Sequence, residues 1–271
     1  MRRSKPWRMA GAAFAIVFSI FMLAPMVVVL GASFTAEGYI QFPPASLGLR
    51  WYREAFANES FVNALYLSLR IATATAVLSG LLGVAAAIAL TDVRMPGRQA
   101  LVGLATLPLA LPHIVLAIAL LQLFGMIRVA TAPYALLAGH VLTTLPYVLR
   151  LTMNSLAGLD PKLELASQSL GASRIQTLRR IVVPLGARGI LAGILFSFLL
   201  SFDEVTIALF TATPGQMTLP AEIFSYASQG ADPVIAAASG IMIMISAVLV
   251  LVIERCFGVL RLIIGDSRKA S

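Results

Sequence analysis

Asp203 and Glu204 are adjacent carboxylates inside a stretch that is otherwise almost wholly apolar. An ionisable side chain in a membrane span costs about 2.5–3.5 kcal/mol on insertion scales and usually faces protein or water. Two such groups side by side can attract a cation at the mouth of a pathway. Equally, they can cap a helix or hold an interfacial ion pair, and the residue types alone leave both readings open. Gly189, Gly193, Ser197 and Ser201 recur every four residues ahead of them. A continuous helix would carry Glu204 on that same small ridge and turn Asp203 about 100° away. At about 1.5 Å per residue, Glu204 would lie roughly 22 Å beyond Gly189, nearer the outer face than the midplane. His113 and His140 sit in other apolar stretches. Either could relay protons, but a membrane histidine hydrogen-bonded to a neighbouring helix is the more common arrangement. Met242 and Met244 read as core. The sequence has no Walker A pattern, no G-x-S-x-G and no H-E-x-x-H, so no catalytic residue, metal ligand or cofactor is expected in this chain. The single Cys256 excludes an internal disulfide.

The elements that must position these residues are membrane helices. With 59% hydrophobic and 12% charged residues, the chain is far from a soluble domain, where about a quarter of residues are charged. A net charge of +8 would suggest nucleic acid until the charges are placed between the spans. Apolar runs are expected to cross the bilayer at about residues 9–32, 71–90, 101–124, 132–150, 189–210 and 234–253. The first is too long for a cleaved signal peptide. Residues 33–63, with Trp51 and Tyr52, suit an exposed loop resting on the membrane surface. Arg70 sits at the edge of the second span, where its stem can snorkel. Ala72, Ala76 and Gly80, and beside them Ser79, Gly83 and Ala87, form small ridges that admit a close helix neighbour. Pro108 and Pro112 should kink the third span. Of 20 lysines and arginines, all but Arg50, Arg53, Arg70 and Arg128 fall on the side of the N-terminus. That bias places both termini in the cytoplasm. The fold class is therefore all-α, a polytopic membrane protein with six transmembrane helices.

Residues 160–184, DPKLELASQSLGASRIQTLRRIVVP, are polar and basic between two apolar runs. A connection that long is usually functional. Asp160 suits an N-cap and Pro161 a first helical turn. Gly171 supplies a turn, Ser173 and Gln176 make an S-x-x-Q capping box for a second helix, and Pro184 should end it. Leu163, Ala166 and Leu170 line one side of the first helix, and Ile175, Leu178 and Ile181 one side of the second. Arg174, Arg179 and Arg180 turn to water.

This stretch resembles the cytoplasmic EAA motif of the permease subunits of binding-protein-dependent ABC importers. In that pattern Glu-Ala-Ala is followed by three residues and Gly, then nine residues, Ile, one residue and Leu-Pro. Gly171, Ile181 and Val183-Pro184 keep the spacing. The resemblance extends over about residues 63–253, and LPYVLR at 145–150, SFDE at 201–204 and TLP at 218–220 are similar to the spermidine/putrescine branch. With Gly171 aligned, the motif's glutamate falls on Leu165 and its alanines on Ala166 and Ser167, while Glu164 is displaced by one position. One residue is about 100° of helix, so Glu164 does not simply replace the missing carboxylate.

The resemblance implies a type I ABC importer permease fold whose loop docks as a coupling helix into a groove of a cytoplasmic ATPase subunit. Glu164, Leu165, Ala166, Ser167, Gly171, Ile181 and Pro184 are the residues it implicates. Helix-in-groove docking suits an amphipathic segment; a basic segment lying on the bilayer is the plainer alternative. Further implied partners are an ATPase dimer, a second homologous permease chain and a periplasmic or extracytoplasmic binding protein, with membrane lipid around them and no nucleic acid. The expected function is half of the translocation pathway of an ATP-driven importer in the bacterial inner (plasma) membrane. A polyamine is the expected substrate, with other small organic solutes and iron left open. The rival is an ion-coupled secondary transporter or channel using Asp203, Glu204 and the histidines. Residues 1–62 are read as the first helix and outer loop. Residues 63–260 form a permease core with five helices and the coupling loop 158–187, and 261–271 a cytoplasmic tail.

Overall fold

A computed structural model describes residues 5–91, 95–128, 133–213, 215–230 and 232–257. Arg2, Arg3, Asp92, Arg94, the tail 261–271 and the side chain of Cys256 lie outside what it describes. Among the described residues no sheet forms; the one extended pairing is an isolated bridge between Thr35 and Leu47. Five helical segments are long and apolar enough to cross a membrane, and a bent pair makes a sixth if it counts as one broken span. The chain divides into two compact units, Met1–Val62 with Ile223–Ala247, and Asn63–Glu222 with Val248–Ser271.

In the first unit, α1 (Lys5–Ser33) is apolar all round from Met9 onward and its most apolar window is unburied. A helix with no polar face of this length suits a lipid or protein surround. In the loop after it Tyr39 and Phe42 are exposed, but the two aromatics that composition placed at the surface, Trp51 and Tyr52, are not. Trp51 and Tyr52 open α2 (Arg50–Ala57) and are buried. The Trp51 indole N–H donates to the Glu37 carbonyl at 2.9 Å, and the Tyr52 hydroxyl meets Ser33 Oγ at 2.7 Å. Buried aromatics with a polar atom need such partners. The Tyr52 hydroxyl also comes so close to Gly240, on α12 (Pro233–Phe257), that a Cβ there would lie 2.7 Å from it. Met242 on that helix is buried, whereas Met244 is exposed, so only the first of the two is core.

The second apolar run proves to be part of a longer helix, α3 (Glu59–Thr91). Its start lies well before residue 71 because Asn58 caps it: Asn58 Oδ1 accepts the N–H groups of Ser60 at 2.9 Å and Phe61 at 3.4 Å. Arg70 therefore sits within a helix rather than at its end, its guanidinium 5.4 Å from the centre of the Tyr66 ring. The third run breaks outright where a kink was expected. α4 (Arg98–Thr106) passes into a 3₁₀ turn at Leu107–Ala110, and α5 (His113–Met126) leaves at 104° to the first part. Pro108 lies inside that turn, and Pro112, which cannot donate an N–H, forms the N-cap of α5.

α6 (Pro133–Ala157) continues past residue 150 and packs on α9 (Val183–Phe202) and α3. Ser79 bonds Thr144 and Gly83 approaches Val148, which sets α3 parallel to α6; His140 bonds Ser201 and Gly193 approaches Val148, which sets α9 antiparallel. A Cβ on Gly83 would lie 2.9 Å from Val148 Cβ, and one on Gly193 3.1 Å from Val148 Cα. The small ridges thus do what their spacing indicates and bring backbones together.

Candidate functional site

Two regions of the second unit hold the candidate residues. In the first, Asp160 Oδ1 accepts the Lys162 N–H at 2.9 Å and Pro161 opens α7 (Pro161–Ser169). Gly171 follows in the left-handed region at φ +87°, a conformation that a Cβ disfavours. The capping box is complete, with Gln176 Oε1 accepting the Ser173 N–H at 2.9 Å and Ser173 Oγ accepting the Gln176 N–H at 3.3 Å. It opens α8 (Arg174–Thr177).

Pro184 does not end this helix. The chain runs on from α8 through a π turn, Leu178–Val182, into α9, and Pro184 stands in the first turn of that helix. A proline lacks the N–H that an α ladder needs and its ring crowds the carbonyl four residues back. A widened turn just ahead of it relieves both effects.

The two arms of the loop are tied where Ser167 Oγ meets Thr177 Oγ1 at 3.0 Å. Ser167 is half-buried, Ala166 and Glu164 are exposed, and Ile181 is half-buried on the inner side with Val182. The larger apolar side chains point away from the protein: Leu165 is 63% exposed, Leu170 89% and Ile175 75%. Exposed leucines and an isoleucine on a short polar hairpin form an apolar surface of the kind that a protein partner or a bilayer covers.

The second region is the break after α9. Glu204 does not continue that helix onto the small ridge. The helix stops at Phe202, and α10 (Thr206–Thr211) starts afresh. Glu204 Oε1 accepts the N–H of Ile207 at 3.0 Å, in the first turn of α10, where a carboxylate satisfies an otherwise unpaired donor. Its other oxygen, Oε2, lies 3.1 Å from His113 Nδ1, at the first position of α5. Two helix starts produced by two breaks in the spans therefore meet at one carboxylate. The Glu204 side chain is 10% exposed and that of His113 49%. Asp203, at the C-cap of α9, is exposed. The adjacent carboxylates thus diverge, one fixed by hydrogen bonds and the other open.

His140 is fully buried, its Nδ1 2.8 Å from Ser201 Oγ. Both histidines accordingly bond a residue from another part of the fold. The residue types flagged His113 and Glu204 separately but did not join them across 91 positions. Thr75, Ser79 and Thr144, which share the buried interface of α3 and α6, went unremarked as polar groups. Their signal was present as hydroxyls four residues apart on apolar helices.

The molecule these features define is a multi-pass membrane protein with an apolar-tipped loop between spans and a carboxylate held at broken helices. Residues 79–260 match the family described as the inner membrane component of binding-protein-dependent transport systems. The chain belongs to that family, and is an ABC importer permease. It is 33% identical over 238 residues to the spermidine/putrescine transport system permease protein PotC of Haemophilus influenzae, covering 88% of this chain and 92% of that one. With the putrescine transport system permease protein PotI of Escherichia coli it shares 31% over 235 residues, 84% of this chain and 82% of that one. A solved structure of a bacterial ABC transporter involved in the import of the acidic polysaccharide alginate contains a chain of the same fold, with TM-score 0.73 at 16% identity, covering 92% of this chain and 94% of that one. The all-α permease architecture read from the sequence is thus the observed one.

Proposed function

We propose that this chain forms half of the translocation pathway of an importer for a polyamine such as spermidine or putrescine. The observation that carries the cationic substrate is the pair of adjacent carboxylates at the break after α9: Asp203 exposed, and Glu204 bonded, among the described residues, to a backbone N–H and a histidine. No lysine or arginine occurs in residues 211–233 to neutralise them from the following loop. The relatives named for spermidine and putrescine support the same substrate class over most of the chain. The fold by itself does not, because a neighbour of the same architecture serves an acidic polysaccharide.

The energy source in this reading is a separate cytoplasmic ATPase dimer. Residues 160–184 dock on it, with Leu165, Ala166 and the turn at Gly171 presented outward, Ser167 tying the two arms through Thr177, and Ile181 and Pro184 carrying the chain into α9. A second homologous permease chain completes the pathway, and a binding protein delivers substrate from the opposite side. Both termini lie in the cytoplasm, on the side carrying most of the basic residues. An ion-coupled secondary transporter would leave the outward leucines of α7 without a role.

The test is uptake of labelled spermidine by vesicles containing the assembled importer, comparing the native chain with the double substitution Asp203→Asn, Glu204→Gln. That change keeps size and hydrogen bonding while removing charge. Uptake is expected to fall about tenfold or more, corresponding to roughly 1.4 kcal/mol of lost attraction, with the complex still assembled. Unchanged uptake, or loss of assembly, would make the pair structural.

A further inference from the structure

The packing of α3, α6 and α9 places polar side chains in two successive tiers. Ser79 Oγ meets Thr144 Oγ1 at 2.9 Å, a separation of 65 residues along the chain. The approach of Gly83 to Val148 repeats that offset one turn on, so one turn back Thr75 stands level with His140. On the other side, the His140–Ser201 bond and the approach of Gly193 to Val148 fix the antiparallel register. Ser197 consequently stands level with Thr144. One tier is Thr75, His140 and Ser201; the next is Ser79, Thr144 and Ser197. All six are buried, and Gly83, Val148 and Gly193 close the packing beyond the second tier.

Some of their hydrogen-bonding capacity is met within the tiers. His140 Nδ1 is 2.8 Å from Ser201 Oγ, and Thr144 Oγ1 donates to the His140 carbonyl at 2.9 Å. Three atoms are left without a protein partner: Thr75 Oγ1, His140 Nε2 and Ser197 Oγ. Unpaired buried polar groups are destabilising, above all inside a membrane, so natural proteins rarely leave three together.

We propose that the two tiers enclose an internal hydration site in which water bridges Thr75 Oγ1, His140 Nε2 and Ser197 Oγ. The chemistry of the six residues selects water over other occupants. None carries a fixed charge, so neither an anion nor a metal cation finds a counter-ion. Water both donates and accepts, so it satisfies His140 Nε2 in either tautomer and the two hydroxyls in any rotation. Three polar partners is the usual number for a buried water. Such water can re-form its bonds when helices shift, which three directly bonded side chains cannot do.

A double-mutant cycle tests this in the full-length protein purified in detergent, read as the thermal unfolding midpoint. Thr75→Val and Ser197→Ala each remove one hydroxyl with little change of shape. Each is expected to lower the midpoint by about 2 °C or more, and the double variant to fall no further than the less stable of the two single variants, because both hydroxyls act through the same water. Unchanged or raised midpoints would overturn the site, since removing an unliganded polar group relieves the interior. Additive losses would overturn it as well, as would a loss confined to Thr75→Val, which would indicate a direct bond to His140.

Discussion

The carboxylate of Glu204 accepts a backbone N–H through one oxygen and meets His113 through the other. If that second contact holds the carboxylate in place, His113→Leu should lower the stability of the purified protein by about 1 kcal/mol, the smaller end of the range because the imidazole is half exposed. His113→Gln, which keeps a donor, should recover most of the loss. Unfolding midpoints in detergent that fall equally for both would show that the imidazole acts through packing instead. The sequence marked these residues as chemically unusual because charged and ionisable groups are costly in apolar runs, a property of each residue alone. It could not pair them, since their meeting depends on where two helices break. Of the two readings of Glu204, the contacts display the capping one: it caps α10 and contacts a histidine; the cation-attracting one rests on the uptake test.

Among the elements, the hairpin at 160–184 was the most legible, because its caps are local. Asp160, Gly171, Ser173 and Gln176 act over two to four residues and need no tertiary context. Pro184 misled for the same reason: as a local signal it stops a helix, but the π turn ahead of it lets α8 continue into α9. The break at Asp203 was left open rather than marked: the carboxylates allowed a helix cap, but the residues on either side are equally apolar and read as one span. Gly171 yields a sharp expectation. At φ +87° a β-branched residue is strained by about 1–3 kcal/mol, so Gly171→Val should re-route α8, abolish uptake and leave membrane insertion intact. Normal uptake would remove the coupling assignment. The displaced glutamate supplies a second expectation, measured by pull-down of the ATPase subunit. Leu165 is apolar and 63% exposed beside Glu164, which is also exposed, so Leu165→Asp should weaken capture more than Glu164→Ala. The reverse order would place Glu164 at the contact and shift the register of the motif.

At the scale of the molecule, composition and the spacing of apolar runs established a multi-pass helical protein, and the family match and the fold agree with it. Substrate and energy source belong to a different level. They depend on sites placed on the fold and on partner chains, which apolar patterning does not encode. In the proposed function, outside binding, passage along the carboxylates and ATP hydrolysis inside are joined through this chain. The most direct test is uptake of labelled spermidine by vesicles reconstituted with the permease pair, the ATPase subunit and the binding protein. Accumulation is expected to require both ATP and the binding protein, to be unaffected by collapsing ion gradients, and to be competed by putrescine. Accumulation driven by an imposed proton or sodium gradient in vesicles without ATP would contradict the proposed function.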